Sequence, residues 1–103
     1  MIEIDLQQIP NQEFIRIIDN TRYQIRLRSF HNMTLADVYI NDIPVKLGLR
    51  CTPNCLLIPY EYLTEGGNFM FYSSDSSYPY YTKYGVTQSL IYLTASEVKE
   101  IYG

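Results

Sequence analysis

A hydrophobic period of two residues, broken at short intervals by pairs of Asp and Asn, constrains this chain more than any other feature. Tyr23, Ile25 and Leu27 alternate with Gln24, Arg26 and Arg28, and Phe30 follows with the apolar set. Ile2, Ile4 and Leu6 alternate with Glu3, Asp5 and Gln7. Side chains of a strand point to opposite faces in turn, so this pattern describes strands with one buried face and excludes helix over these stretches. Phe14-Ile15-Arg16-Ile17-Ile18 is a second apolar run, separated from the Tyr23 strand by Asp19-Asn20-Thr21. Asp and Asn tolerate left-handed backbone and bond their own chain, so the pair predicts a hairpin. Asp37–Ile40, then Asn41-Asp42, then Ile43–Leu47 repeat the arrangement. Pro44 has no N–H to give to a ladder, so its strand is expected at a sheet edge or to begin after Pro44.

The remainder is less regular. Arg50–Cys55 reads as a loop, Leu56–Ile58 as a short strand ended by Pro59, and Gly66-Gly67-Asn68 as a turn. Phe69–Tyr72 is a strand, Ser73–Ser77 a polar turn, Tyr78–Gly85 an aromatic loop and Gln88–Leu93 the last strand. Thr94-Ala95-Ser96-Glu97 fits a capping box, which predicts a short helix from about Ala95 to Ile101. Frequent turns between seven or eight short strands predict a mostly β fold, a small antiparallel β-barrel or sandwich with a short C-terminal helix. A single β domain over 1–103 is expected, with Tyr23, Ile25, Leu27, Val38, Ile40 and Phe71 in its core.

Composition narrows the function classes. Hydrophobic residues make up 47% of the 103, which excludes a disordered chain. The net charge of −3 argues against general nucleic-acid binding. No apolar run approaches the ~20 residues of a membrane helix. The first ten residues carry acids where a secretory signal carries bases, so synthesis in the cytosol is expected. Charged residues are only 18%, below the usual ~25%, which hints that part of the surface is meant for something other than water.

Catalytic and metal chemistry finds little to work with. His31, the single histidine, stands beside Asn32 in a turn, where a solvated ring is the ordinary outcome. Cys51 and Cys55 give C-x-x-x-C, and two thiols with one distant histidine fall short of the four ligands of structural zinc. Free thiols and no metal are expected. Glu61 and Glu65 lie in a segment bounded by Pro59 and Gly66, not on a helix, and a carboxylate-pair hydrolase needs a cleft that a chain this short rarely supplies. Gly66-Gly67 lacks the Lys-Ser/Thr of a phosphate loop. We therefore expect no enzyme and no cofactor.

Two clusters remain. Arg26 and Arg28 share the polar face of one strand and Arg22 precedes them. Guanidinium groups grip carboxylates with two prongs, so the cluster reads either as a partner surface or as a solvated sheet face. The second is aromatic. Of 11 tyrosines, nine lie from Tyr60 onward, and four fall between Tyr78 and Gly85. Tyrosine combines a rigid ring with a polar tip and is enriched at interfaces. A chain of this size has too little interior for all these rings, so Tyr80, Tyr81 and Tyr84 are expected to contact a partner. The competing arrangement packs them inward near Val98 and Ile101 of the helix. A small β-barrel that stacks a ligand on the 78–85 loop is the alternative function.

The run Pro59-Tyr60-Glu61-Tyr62-Leu63-Thr64-Glu65-Gly66-Gly67-Asn68-Phe69 is followed by Tyr78-Pro79-Tyr80-Tyr81-Thr82-Lys83-Tyr84-Gly85. With Pro10-Asn11-Gln12 and Tyr23–Arg28 upstream, the chain resembles the phage baseplate plug family over nearly its whole length. These are small proteins encoded among the tail genes of contractile-tailed phages. The resemblance implies a virion component of the tail baseplate, assembled in the host cytoplasm and placed at the central hub below the tail tube. Its implied partners are hub and tube proteins and other copies of itself, and it implies no enzymatic activity. The two cysteines belong to no family pattern, so no role carries over to them.

Overall fold

Three two-residue turns set the architecture. Asp19 and Asn20 (φ 51° and 64°), His31 and Asn32 (50° and 62°) and Asn41 and Asp42 (51° and 67°) are all left-handed. Two successive left-handed residues make the type I′ turn, whose twist matches that of the strands it joins. The computed structural model of the protein describes residues 2–58 and 67–102, without the side chains of 101 and 102. In it, these turns link β2 (Gln12–Ile18), β3 (Thr21–Phe30), β4 (Met33–Ile40) and β5 (Ile43–Arg50) into an antiparallel meander in chain order. A second sheet sets β7 (Gln88–Leu93) between β1 (Ile2–Ile4) and β6 (Asn68–Ser73), antiparallel to both.

The fold is mostly β, as the alternation predicts. The two sheets do not close into a barrel, so the sandwich arrangement is the one adopted. Their inner faces meet through rings. Tyr23 of β3 sits edge-on to Phe69 of β6 at 5.2 Å and 5.7 Å from Tyr92 of β7, while Phe14 of β2 reaches Phe69 at 6.3 Å. Tyr23, Ile25, Leu27, Val38 and Phe71 are buried as expected. Ile40 is half-buried and packs against the core from its margin. The β3 register is the predicted one, with Ile25 and Leu27 inside and Arg26 exposed. Phe30 departs from it and is 56% exposed. It lies an even number of residues from Arg26 and Arg28, so strict alternation carries it to their face.

The capping box forms as read. The Thr94 N–H donates to Glu97 Oε1 at 3.0 Å, and the Glu97 N–H donates to Thr94 Oγ1 at 3.2 Å. The helix α1 spans Ala95–Tyr102. Pro44 lies within β5, opposite Tyr39, and β5 is an edge strand. Two expectations fail. Arg50 closes β5 rather than opening a loop. Leu56–Ile58 is no strand: Pro53 has no N–H and Asn54 is left-handed, so the segment follows β6 through separate bonds. Those bonds run from Asn54 N–H to the Phe71 carbonyl and from Leu57 N–H to the Phe69 carbonyl, each at 2.8 Å. The Pro59–Gly66 stretch, with Glu61 and Glu65, lies outside the described residues.

Candidate protein interface

The arginine cluster stands where alternation puts it, on the outer face of the four-stranded sheet. Strand pairing sets Arg26 between Glu13 of β2 and Asp37 of β4. Each guanidinium has a carboxylate of its own chain. Arg22 pairs with Asp42 in the neighbouring turn, Arg26 Nε donates to Glu13 Oε2 at 3.1 Å, and Arg28 Nη2 donates to Asp37 Oδ1 at 3.0 Å. The three pairs differ in weight. Arg26 and Glu13 are open to water, and such pairs contribute about 0–1 kcal/mol. Asp37 is only 7% exposed and also accepts the Gly48 N–H at 2.7 Å. Removing Arg28 would leave a buried carboxylate short of its counter-charge, so this pair is structural. The face therefore presents guanidinium groups already neutralised, with half-buried Leu35 and Tyr39 and exposed Ile15 and Ile17 between them.

The aromatic loop divides into rings turned inward and rings turned outward. Tyr84 is 3% exposed, which corrects the expectation that it meets a partner. Its ring stacks on Phe71 at 5.7 Å and 23°, and its hydroxyl lies 3.1 Å from Thr34 Oγ1. Thr34 Oγ1 donates to the Pro79 carbonyl at 2.8 Å, and a carbonyl can only accept. The single Thr34 proton is thereby used, so the Tyr84 hydroxyl donates to Thr34. Burial of this phenol pushes its pKa from 10.0 up to about 12. Tyr84 thus packs against β4 and β6, not against the helix near Val98, and the Ile101 side chain lies outside the described residues.

Tyr80 and Tyr81 are half-buried and pack on each other with ring centres 4.7 Å apart. Tyr81 opens a short 3-10 turn, Tyr81–Lys83, and leans on the core. Tyr78 is 50% exposed, with the Arg50 guanidinium 4.8 Å from its ring centre. Tyr72 on β6 is 51% exposed.

What holds the loop is a residue the sequence reading missed. Gln88, the first residue of β7, is 1% exposed. Its amide nitrogen donates to the carbonyls of Ser77 (3.2 Å) and Tyr78 (2.9 Å), and its amide oxygen accepts the Tyr80 N–H at 2.9 Å. Gln8 Nε2 donates to the Tyr84 carbonyl at 3.0 Å at the far end. A polar residue opening a strand gives no sign in sequence that its partners are loop backbone. Before the loop, the Asp75 carboxylate accepts from Ser77 Oγ (2.6 Å), Ser77 N–H (3.0 Å) and Ser73 Oγ (3.0 Å). These donors, those of Ser77 above all, hold its pKa down at about 2.

Cys51 is a buried thiol whose pKa burial raises to about 12, and Cys55 is an exposed one. His31 is exposed in its turn, its ring edge-on to Phe30 at 4.1 Å. Among the described residues no group of three or more His, Cys, Asp or Glu converges on a metal position, and no helix is long and apolar enough to cross a membrane. The shallow groove between β1 and β7, lined by Glu3, Asp5, Leu6, Gln88 and Ser89, holds about 70 Å³. Pockets for small organic ligands hold ~300–1,000 Å³.

Compared with known families, residues 1–96 match the family model described as cyanophage baseplate Pam3 plug gp18. No protein of curated function matches the sequence.

Proposed function

The chain belongs to the cyanophage baseplate plug family, and on that premise we propose that it packs at the central hub of a contractile tail, below the tail tube. It is a structural component of the tail baseplate, and baseplate components are its neighbours. The finer reading is ours: a single domain over 1–103 is assembled in the host cytoplasm and works through protein contacts rather than catalysis. Hub and tube subunits take the outward rings Tyr80 and Tyr81, with Tyr78 beside them. The arginine face of Arg22, Arg26 and Arg28 offers a second contact, in which spare guanidinium donors reach polar groups of a neighbour.

The observation that carries this reading is the aromatic loop itself. Its backbone is pinned from behind by Gln88 and Thr34, while Tyr78 is left half-exposed and Tyr80 and Tyr81 partly so. Exposed aromatic patches mark partner sites. A ring held in place loses little entropy when it docks. Stacking of a planar ligand has less support, because Tyr80 and Tyr81 already pack on each other and Arg50 lies over Tyr78.

Alanine at both Tyr80 and Tyr81 tests the reading. The expected result is loss of this chain from purified particles, read by mass spectrometry, with far-UV dichroism of the isolated protein unchanged. Arg26→Glu is the companion variant, since Arg26 can be reversed without stranding a buried charge. Normal incorporation of both variants overturns the assignment of these surfaces.

A further inference from the structure

Sheet edges are open hydrogen-bonding templates, and proteins blunt them with proline, charge, bulges or a covering segment. The edges of this sandwich are blunted unequally. The β5 edge carries Pro44, a register shift and left-handed Gly48 (φ 66°). The 53–57 segment bonds along β6. Strand β1 has three residues. Strand β2 is different: seven residues without proline or glycine, in unbroken register with β3 from Gln12 to Ile18. Among the described residues it has no strand on its other side. Its Ile15 and Ile17 are 41% and 72% exposed.

The phase of that edge follows from the turn. In a two-residue type I′ hairpin the residues flanking the turn bond each other, so Ile18 faces β3, as do Arg16, Phe14 and Gln12. Glu13, Ile15 and Ile17 then turn one N–H and one C=O each to the open side. The Ile15 carbonyl confirms the phase, since its acceptor is taken from the open side by the Arg16 guanidinium of the same chain at 3.1 Å.

These open groups are symmetric about Ile15. We propose that β2 pairs antiparallel with β2 of a second copy of this chain, about a two-fold axis at Ile15, to give a continuous eight-stranded sheet. This deepens the proposed baseplate reading by naming one partner as the chain itself. In that register Ile15 faces Ile15 of the second copy, and Glu13 faces its Ile17. All the open N–H and C=O groups of both strands are then satisfied. On the inner side Phe14 lies opposite Arg16 of the second copy, in the closely spaced kind of pair with Cα atoms ~4.5 Å apart. The same cation–ring contact already exists within the chain, with the Arg16 guanidinium carbon 5.7 Å from the Phe14 ring centre. A shift of the axis to Arg16 sets two guanidinium groups against each other, and a shift to Phe14 or Arg16 leaves open groups unused. The pairing of Phe14 with Arg16 across the axis, the cation–ring contact that the chain already makes within itself, is what favours a second copy over a foreign strand. Pairing exchanges the Arg16 bond to the Ile15 carbonyl for an inter-chain N–H.

The test is the mass of the purified full-length chain by light scattering across a concentration series, with amide exchange read by NMR. The expected result is a rise toward twice the chain mass on concentrating, with slowed exchange at Glu13, Ile15 and Ile17. Ile15→Pro removes an N–H that β3 does not use, so the fold stands while the pairing is lost. Ile15→Lys, which sets two ammonium groups at the axis, gives the same loss without a backbone change and decides the matter where the proline variant unfolds. A wild-type chain that stays monomeric at millimolar concentration overturns the proposal, as does a dimer that Ile15→Lys leaves intact. Incorporation into particles is scored separately. A monomeric chain that still incorporates overturns the self-pairing alone, and a dimer never found in particles overturns the baseplate placement alone.

Discussion

Tyr84 offers the sharpest test of how the aromatic loop is held. Its ring is buried against Phe71, and its hydroxyl donates to Thr34, which in turn donates to the Pro79 carbonyl. Tyr84→Phe keeps the ring and removes one donor. A hydrogen bond of this kind contributes about 0.5–1.5 kcal/mol, so the melting temperature should fall by ~4–8 °C per kcal/mol for a domain of this size. Tyr84→Ala removes the ring as well. Large aromatic truncations in a core cost about 3–5 kcal/mol, which is a large share of the ~5–15 kcal/mol of a typical domain. Thr34→Val should cost more than Tyr84→Phe, because it strands both the phenol and the Pro79 carbonyl. The double variant Thr34→Val with Tyr84→Phe should cost less than the two singles together, since the phenol is then absent. Urea unfolding of the wild type and the four variants, followed by dichroism, gives the cycle and the cost of Tyr84→Ala. An unchanged midpoint for Tyr84→Ala would show that the ring is not inside, and additive costs for Thr34→Val and Tyr84→Phe would show that the two hydroxyls are not bonded.

Gly67→Ala should be destabilising or fail to fold, because a Cβ there would lie 2.0 Å from the Leu93 carbonyl oxygen and 2.5 Å from the Tyr92 hydroxyl; soluble yield and melting temperature check it. A thiol reagent should label Cys55 in the native protein and reach Cys51 only on unfolding, since burial keeps the Cys51 thiol protonated with a pKa of about 12; two fast-reacting thiols in native buffer would contradict the burial. Tyr23, raised to about 12 by burial and then by its bond to Tyr92, and Tyr84, raised to about 12 by burial, keep protons that the unfolded chain loses near 10. The folded state binds more protons in that window, so stability is full below pH 10 and falls as pH rises from 10 toward 12, as denaturant midpoints across that range should record.

Legibility in the sequence followed burial. Strand β3 was readable because one face is core and the other carries Arg22, Arg26 and Arg28. Strand β4 is legible only from Asp37, because in its first half polarity runs opposite to burial: Thr34 and small Ala36 are buried while Met33 and Leu35 are only half-buried. Its turn, His31–Asn32, lacks an Asx pair but takes the same left-handed geometry. Buried amides were invisible for a related reason. Asn68 accepts the Ile58 N–H at 2.8 Å and donates to the Ile58 carbonyl at 3.0 Å, so a residue read as part of a turn is in fact a core brace. Gln88 is its counterpart on β7. In both cases the partner is backbone 8–11 residues earlier in the chain, and nothing in the residues beside the amide announces it. Alternation places the arginines on the outer face, but which carboxylate each of them meets depends on the β2–β3–β4 register, which no local pattern carries.

The same accounting explains why the outward tyrosines are outward. Tyr23, Phe69, Phe71, Tyr84 and Tyr92 fill the space between the sheets in two groups of touching rings, the trio of Tyr23, Phe69 and Tyr92 and the stacked pair of Phe71 and Tyr84. A sandwich interior is only about 10 Å thick, so further rings on the same short strands and loop have no inner position left. Tyr72 goes outward by alternation from buried Phe71 and Ser73. Tyr78 goes outward, and Tyr80 and Tyr81 stay half-buried at the margin, because Pro79 and Tyr84 take the inward positions of the loop. Pro79 and Tyr84 are seated by bonds to Thr34, and Tyr78 and Tyr80 by bonds to Gln88, both residues of regular strands. The outward rings therefore inherit the rigidity of the two sheets. A partner that engages them meets a preformed surface and loses little to ordering it, which is the property a small packing subunit with few charges needs in order to bind through contact area.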